Sequence, residues 1–318
     1  VKGVSTYYDA DGNIKGQWVK TAQDREDRVR DLLDACQVLL EPLDGKAKTP
    51  TVPPPGEDGR LCVYPIGDHH HGMYAWAAET GAFDHNLAKS EALLFGAMDR
   101  LVGLAPPAKH ALIINLGDFF HADNSSNRTN RSGAPLDVDT RFARVMQTGV
   151  KLMARCIDRA LEKHEEVTVI CEIGNHDDHS ALVLAMALDL FYSQEPRVTI
   201  DTSPQAFHWY RFGRTLIGVT HGDGVKMAEL PGIMAADRKE DWGETDHRYW
   251  YTGHVHHDQL KEYRGCIVES FRTLAPSDAW HARAGYRSGR DMKVDIIDRE
   301  FGRIARHTVG VEQFYGEH

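Results

Sequence analysis

Long apolar runs are missing from this chain. Nothing in its 318 residues approaches the roughly 20 consecutive apolar side chains that cross a bilayer, and the N-terminus lacks the charged-then-apolar plan of a signal peptide. That pattern excludes a membrane span and leads us to expect a cytoplasmic location. Cysteine is scarce too: Cys36, Cys62, Cys156, Cys171 and Cys266 are odd in number, widely spaced and mostly set in apolar runs. A disulfide scaffold is therefore excluded, and the five read as reduced packing residues. Positive charge is short, with 37 Lys and Arg against 47 Asp and Glu and a formal net charge of -10. This excludes a broadly basic nucleic-acid coat. It does not exclude a nuclease, because site carboxylates count in that sum yet are neutralised by bound divalent cations, and a local Arg stripe can guide a phosphate backbone. A Walker-type phosphate loop, an internal repeat and a long low-complexity tract are also lacking. The chain opens on Val1 rather than Met, which is compatible with a preceding segment.

What is present has the make-up of an ordinary globular protein, 42% hydrophobic and 26% charged, with material for one large domain and a small appendage. Runs at 4–8 and 14–19 flank the turn-rich Asp9-Ala10-Asp11-Gly12-Asn13, which predicts a hairpin. Val29, Leu32, Leu33, Cys36, Leu39 and Leu40 fall at helical spacing within 24–40. From 42 to 60 the composition shifts to Pro, Gly, Lys and Thr. We therefore expect an appendage over 1–41, an extended linker over 42–60 and the main domain over 61–318. Three roles stay open for the appendage: docking on that domain, self-association, or continuing an upstream module.

Within 61–318, apolar runs at 61–66, 111–116 and 167–173 alternate with helix-like segments near 86–103, 138–163 and 179–192. This is β-α-β logic, with chemistry expected at the carboxyl ends of strands. Further strands are expected at 197–201, 207–212, 215–220, 248–252, 266–271 and 292–297. The fold class is α/β, with two packed mixed β-sheets flanked by helices.

Five short blocks recur in order: Asp68-His69-His70, Gly117-Asp118, Gly174-Asn175-His176-Asp177, Thr220-His221-Gly222-Asp223 and Gly253-His254-Val255-His256. Any one is common by chance, but each supplies a donor that hard or borderline divalent metals accept. Alternate residues of an extended segment share a face, so Asp68 and His70 can grip one ion, while His254 and His256 diverge toward neighbouring ions from a turning strand end. Two cations roughly 3.5–4 Å apart repel unless an anion sits between them, and Asp118 is the natural bridging carboxylate. Ten of the 18 histidines fall within 68–72, 117–121, 174–179, 220–223 and 253–257. His85, His110, His164, His307 and His318 read as ordinary polar residues. For His69, His71, His179 and His257 a supporting place beside the ligands stays open.

With these motifs the chain resembles the calcineurin-like metallophosphoesterase superfamily, whose four-layer fold the expected architecture would match. The resemblance implies that Asp68, His70 and His256 hold one metal, Asn175, His221 and His254 a second, and Asp118 both. It also implies that a metal-bridging hydroxide attacks phosphorus in line with the leaving oxygen. His176 would protonate that oxygen as general acid and not serve as a ligand, with Asp177 orienting or tuning it. Manganese is the implied metal, with Fe, Zn or Co as alternatives.

Substrate class is less constrained. The run Gly117-Asp118-Phe119-Phe120-His121 resembles Mre11- and SbcD-type DNA nucleases, in which the residue after the apolar pair lies beside the active site, and His121 takes that position. Core packing for both Phe residues and a supporting hydrogen bond from His121 stay open as the plainer reading. The polar loop from Ala122 to Gly133 offers Asn124, Asn127 and Arg128 to phosphate oxygens. Late in the chain Arg272, Arg283, Arg287, Arg290 and Lys293 interleave with Trp280, His281 and Tyr286, a pattern suited to single-stranded or frayed nucleic acid and equally to a surface network. The region from 61 onward also resembles phage-encoded phosphoesterases described as DNA repair exonucleases. These resemblances imply a DNA exonuclease, with an ATPase as implied partner. Two other readings are carried: hydrolysis of a small nucleotide or other small phosphoester, and a noncatalytic scaffold, against which retention of His176 argues.

Overall fold

The protein is described by a computed structural model over residues 3–8, 14–20, 44–48, 50–81, 83–129, 133–283, 285 and 287–314. The helix expected over 24–40, Cys36, Asn130, Arg131, Tyr286 and the side chains of Trp280 and His281 lie outside what is described. Two units are separated between Asp44 and Gly45. In the first, β1 (Gly3–Tyr8) and β2 (Ile14–Lys20) pair antiparallel, with an irregularity at Tyr7/Tyr8.

The second unit begins as an extended strap. Gly45 and Ala47 amides donate to the Leu190 and Phe191 carbonyls, and the Gly56 amide donates to Glu165. The strap feeds β3 (Glu57–Ile66), which starts inside the segment read as linker. The remaining strands are β4 (Ala108–Asn115), β5 (Glu166–Cys171), β6 (Val198–Asp201), β7 (His208–Phe212), β8 (Thr215–Thr220), β9 (His247–Thr252), β10 (Gln259–Tyr263), β11 (Cys266–Ser270), β12 (Asp291–Asp298) and β13 (Gly302–Gly310). Helices are α1 (Ala77–Thr80), α2 (Leu87–Leu104), α3 (Phe142–Leu161), α4 (Ser180–Phe191), α5 (Leu230–Asp237), α6 (Lys239–Glu244) and α7 (Ala279–Arg283).

Two mixed sheets result, ordered β13-β12-β3-β4-β5-β6 and β10-β11-β9-β8-β7. In β3 the strand period of two sorts the apolar run: Cys62, Tyr64 and Ile66 join the core under α2, α3 and α4, while Leu61 and Val63 join the core facing the second sheet. Burial on both faces is why this run is continuously apolar rather than alternating. Leu112, Ile114 and Ile170 meet Ile217, Val219 and Tyr251 between the sheets. Leu216, Trp250 and Val268 turn to the outer face of the second sheet, where Leu230 and Met234 of α5 cover them. The order is helix, sheet, sheet, helix, as the α/β expectation had it.

A buried ionic cluster joins the sheets. Arg303 and Arg306 of β13 reach Glu269 of β11 at 2.8 and 2.9 Å, and Arg306 also holds Asp295 of β12 at 2.8 Å. Cys62, Cys156, Cys171 and Cys266 are buried free thiols, each pushed up to about 12 by burial. Among the described residues no helix is long and apolar enough to cross a membrane.

Candidate metal centre

The sequence-predicted ligands lie just past the carboxyl ends of five strands. Asp68 and His70 follow β3, Asp118 follows β4, Asn175 follows β5, His221 follows β8, and His254 and His256 follow β9. Strands β3, β4 and β5 are parallel neighbours in one sheet, and β8 and β9 in the other. Each set therefore opens at one end of its sheet.

Left-handed backbone marks these turns. Among the described residues the non-glycine positions with positive φ are Asp68 (37°), His70 (49°), Asp118 (52°), Asn127 (52°), His254 (69°) and His256 (55°). All but Asn127 are predicted ligands, and each such residue costs about 1–2 kcal/mol, a concentration of strain typical of functional sites. Close approach explains two glycines: a Cβ on Gly174 would lie 2.0 Å from Asp118 Oδ1, and one on Gly253 2.6 Å from Asp68 Oδ2.

Asp68, His70 and His256 form one group and Asp118, His221 and His254 another, each with its donor atoms within 4.8 Å of one another. His70 Nε2 faces His256 Nε2 at 3.1 Å, and His256 Nε2 is 3.6 Å from Asp68 Oδ1. His221 Nε2 lies 3.2 Å from Asp118 Oδ2 and 3.1 Å from Asn175 Oδ1. This donor set fits divalent cations, because imidazole nitrogens, carboxylate oxygens and an amide oxygen from separate loops converge, the donor types such ions accept. Electrostatics agree. Burial alone would lower His221 and His256, yet the charges of Asp118 and Asp68 hold both above the usual histidine range, so each carboxylate draws positive charge to itself. Burial would raise Asp118, but His221 holds it below the usual carboxylate range. His254 is pushed down, first by burial and then by His221.

His176 is anchored twice. Its amide donates to Asp118 Oδ1 at 2.7 Å, and its ring Nδ1 donates to the His121 carbonyl at 2.9 Å. A carbonyl only accepts, so Nδ1 carries the proton and Nε2 is the atom that exchanges one. His121 stacks its ring on His176 with centroids 5.5 Å apart and sets its Nδ1 3.3 Å from His70 Nδ1. His70, His121 and His176 thus form a third group of converging donors. Phe119 and Phe120 are wholly buried in the core under the helices. The Gly117-to-His121 run therefore contains both core packing and a residue at the site.

Asp177 departs from expectation. Its carboxylate accepts from the backbone amides of Asp118 (3.1 Å), Gly174 (2.9 Å) and Phe120 (3.2 Å), and the His176 ring is held by a carbonyl instead. Burial, then the Asp118 charge, pushes its carboxyl up, against three donors that favour the anion. Asp177 fastens the two site loops rather than orienting His176.

The predicted substrate residues each make local contacts. Arg272 pairs with Asp291 at 2.6 Å and Asp258 at 3.3 Å. Asn124 accepts from the Ser126 amide (2.8 Å), Arg128 donates to the Gly133 carbonyl (2.7 Å), and Arg287 donates to the Ala282 carbonyl (3.3 Å). Asn127 takes a left-handed turn. Sequence reasoning missed Thr273, whose hydroxyl donates to the Asp68 carbonyl at 2.6 Å and pins that strained turn. It also missed Ser90, bonded to the buried rings of His69 (2.9 Å) and His71 (3.0 Å) behind the centre. A further omission was Asp123, bonded to His179; its one signal was its place two residues after His121.

No protein-family model matches the chain, and no curated protein matches it. Solved structures similar to it include a predicted phosphoesterase from Streptococcus pneumoniae, 13% identical over 79% of this chain and 98% of that one, with a TM-score of 0.31. Vps29 from Entamoeba histolytica, solved with zinc, is 13% identical over 78% of this chain and 98% of its own, with a TM-score of 0.32. An archaeal phosphodiesterase is 12% identical over 79% of this chain and 99% of its own, with a TM-score of 0.35. Likeness this distant assigns no activity, and the functional reading rests on the side chains themselves.

Proposed function

We propose that the chain is a two-metal-dependent phosphodiesterase acting on DNA as an exonuclease, akin to the Mre11- and SbcD-type enzymes and phage-encoded relatives. The observation that carries the reading is the pair of donor groups drawn from two sheets, Asp68, His70 and His256 and Asp118, His221 and His254, with His176 bonded to Asp118 and its ring 4.9 Å from that of His70. In this reading Asp68, His70 and His256 would hold one cation, Asn175, His221 and His254 the other, and Asp118 would serve both. Two divalent cations, manganese by preference, would supply an activated water and offset charge on the phosphoryl oxygens. The chain's own part is positioning. His121 fixes the His176 ring through its carbonyl, so that Nε2 gives its proton to the leaving oxygen. Asp177 ties the Asp118 loop to the His176 loop, and Thr273 holds Asp68.

A second reading, hydrolysis of a small phosphoester, is favoured by the ion pairs that Arg272 makes with Asp291 and Asp258. One experiment separates the two. Protein loaded with manganese is expected to degrade end-labelled DNA and a chromogenic phosphodiester, and His176→Ala to lose both. Intact DNA alongside His176-dependent cleavage of the small diester would remove the nuclease reading and leave the enzyme; cleavage of neither with any metal would remove both.

A further inference from the structure

His254 and His256 share the loop between β9 and β10, but its two ends are tied differently. Upstream, the Gly253 amide donates to the His221 carbonyl at 2.9 Å, and the His254 amide donates to the Asp68 carboxylate, at 2.9 and 3.0 Å from its two oxygens. His254 is thus fixed from its own side. The backbone beyond His256 is tied from downstream. The Ser270 hydroxyl, at the end of β11, donates to the His257 carbonyl at 2.8 Å. Asp258 accepts from Lys293 Nζ at 2.6 Å through one carboxylate oxygen, and the other stands 3.3 Å from Arg272 Nε.

Lys293 gives this tie its strength. It belongs to β12 of the six-stranded sheet, and its side chain is only 7% exposed, so its ammonium needs a close carboxylate. Glu269, 3.8 Å away, is already engaged by Arg303 and Arg306. The near counter-ion is Asp258, two residues past His256, and it comes from a loop of the other sheet. A charge-assisted bond to a strand in the middle of its ladder holds that loop end in one place. We propose that the Asp258–Lys293 pair is a positioning device for His256, fixing the loop end from which that ring reaches the cation it shares with Asp68 and His70. The inference rests on the two-cation reading. Asp258 and Lys293 touch no cation themselves and act through His256, whereas His254 keeps its own upstream ties. One cation should therefore depend on the pair and the other should not.

Equilibrium dialysis against defined free manganese should resolve two binding events in wild type, with His70→Ala and Asn175→Ala identifying the cation to which each belongs. In Asp258→Asn the event lost in His70→Ala should weaken about tenfold, while the event lost in Asn175→Ala changes less than about threefold. Lys293→Met should act on the same event. Asp258→Asn also strands a buried ammonium, so its urea midpoint is expected to fall. The double variant, Asp258→Asn with Lys293→Met, removes that charge: its midpoint should recover while the manganese deficit stays. Should Asp258→Asn fail to fold, the double variant carries the comparison. Affinity that recovers together with the midpoint would reduce the pair to a stabilising contact and overturn the proposal, as would equal weakening of both events. Wild-type protein that binds two cations yet cleaves no phosphoester would end the parent reading, while the binding data still decide the role of Asp258. Wild-type protein that binds fewer than two cations would overturn both.

Discussion

Gly174 leaves no room for a methyl group, because a Cβ there would lie 2.0 Å from Asp118 Oδ1 and 2.2 Å from the Asp118 amide. Neither neighbour is the loose end of a flexible side chain. In Gly174→Ala the loop carrying Asn175 and His176 must therefore move away from Asp118. We expect metal affinity to fall by at least about tenfold, the scale seen when groups that orient ligands are lost. Metal content after dialysis against defined free manganese measures this, and full occupancy in the variant would show that the contact is dispensable. At this scale the sequence was legible wherever chemistry dictates residue type: a cation needs Asp, Asn and His, and these stand in five recognisable blocks. Pairing across the fold was not legible. Nothing in the sequence says that Arg272 will stand beside Asp291 and Asp258.

The site depends on loops rather than on strands, and Asp177 is the staple between two of them. One carboxylate accepts three backbone amides from 118, 120 and 174. In Asp177→Asn one oxygen becomes an NH2 group that faces a donor, leaving a buried amide without an acceptor, which costs about 1–3 kcal/mol. The urea midpoint should drop accordingly with the m-value unchanged. An unaltered midpoint would mean that the amides find other acceptors. Among regular elements, β3, β4 and β5 were readable because both faces are buried and the runs are apolar throughout. β10 and β13 were not, since as edge strands with burial mainly at their ends they read Gln-Leu-Lys-Glu-Tyr and Gly-Arg-Ile-Ala-Arg-His-Thr-Val-Gly. Charge at an edge is protective and erases the apolar alternation by which strands are recognised. α5 went unread because it presents only Leu230 and Met234 to the core.

For the whole molecule, acid is the sensitive direction. His164 is buried, bonded to the Tyr64 hydroxyl (2.8 Å) and the Ala108 carbonyl (2.7 Å), and burial pushes its ring down to about 4. The unfolded chain takes up that proton near pH 6.5 and the folded one only near 4. Stability is therefore full above about 6.5 and declines as pH falls toward 4, by roughly 3 kcal/mol from this residue alone. Urea midpoints at pH 7.5 and 4.5 should differ less in His164→Asn than in wild type. Equal differences would assign the acid sensitivity to other groups, of which His71 and His85, likewise lowered by burial, are the first to consider.

The two sheets share the centre unevenly. In the proposed assignment each cation takes donors from both sheets: Asp68 and His70 with His256, and Asn175 with His221 and His254. Neither sheet holds a complete coordination set. How closely the donors of one sheet approach those of the other therefore follows the thickness of the layer between the sheets, filled by side chains such as Leu112, Ile114, Ile217 and Val219. A change of volume in that layer would shift the two halves of the donor set against each other, so residues with no polar atom to offer help to set the geometry of the proposed centre.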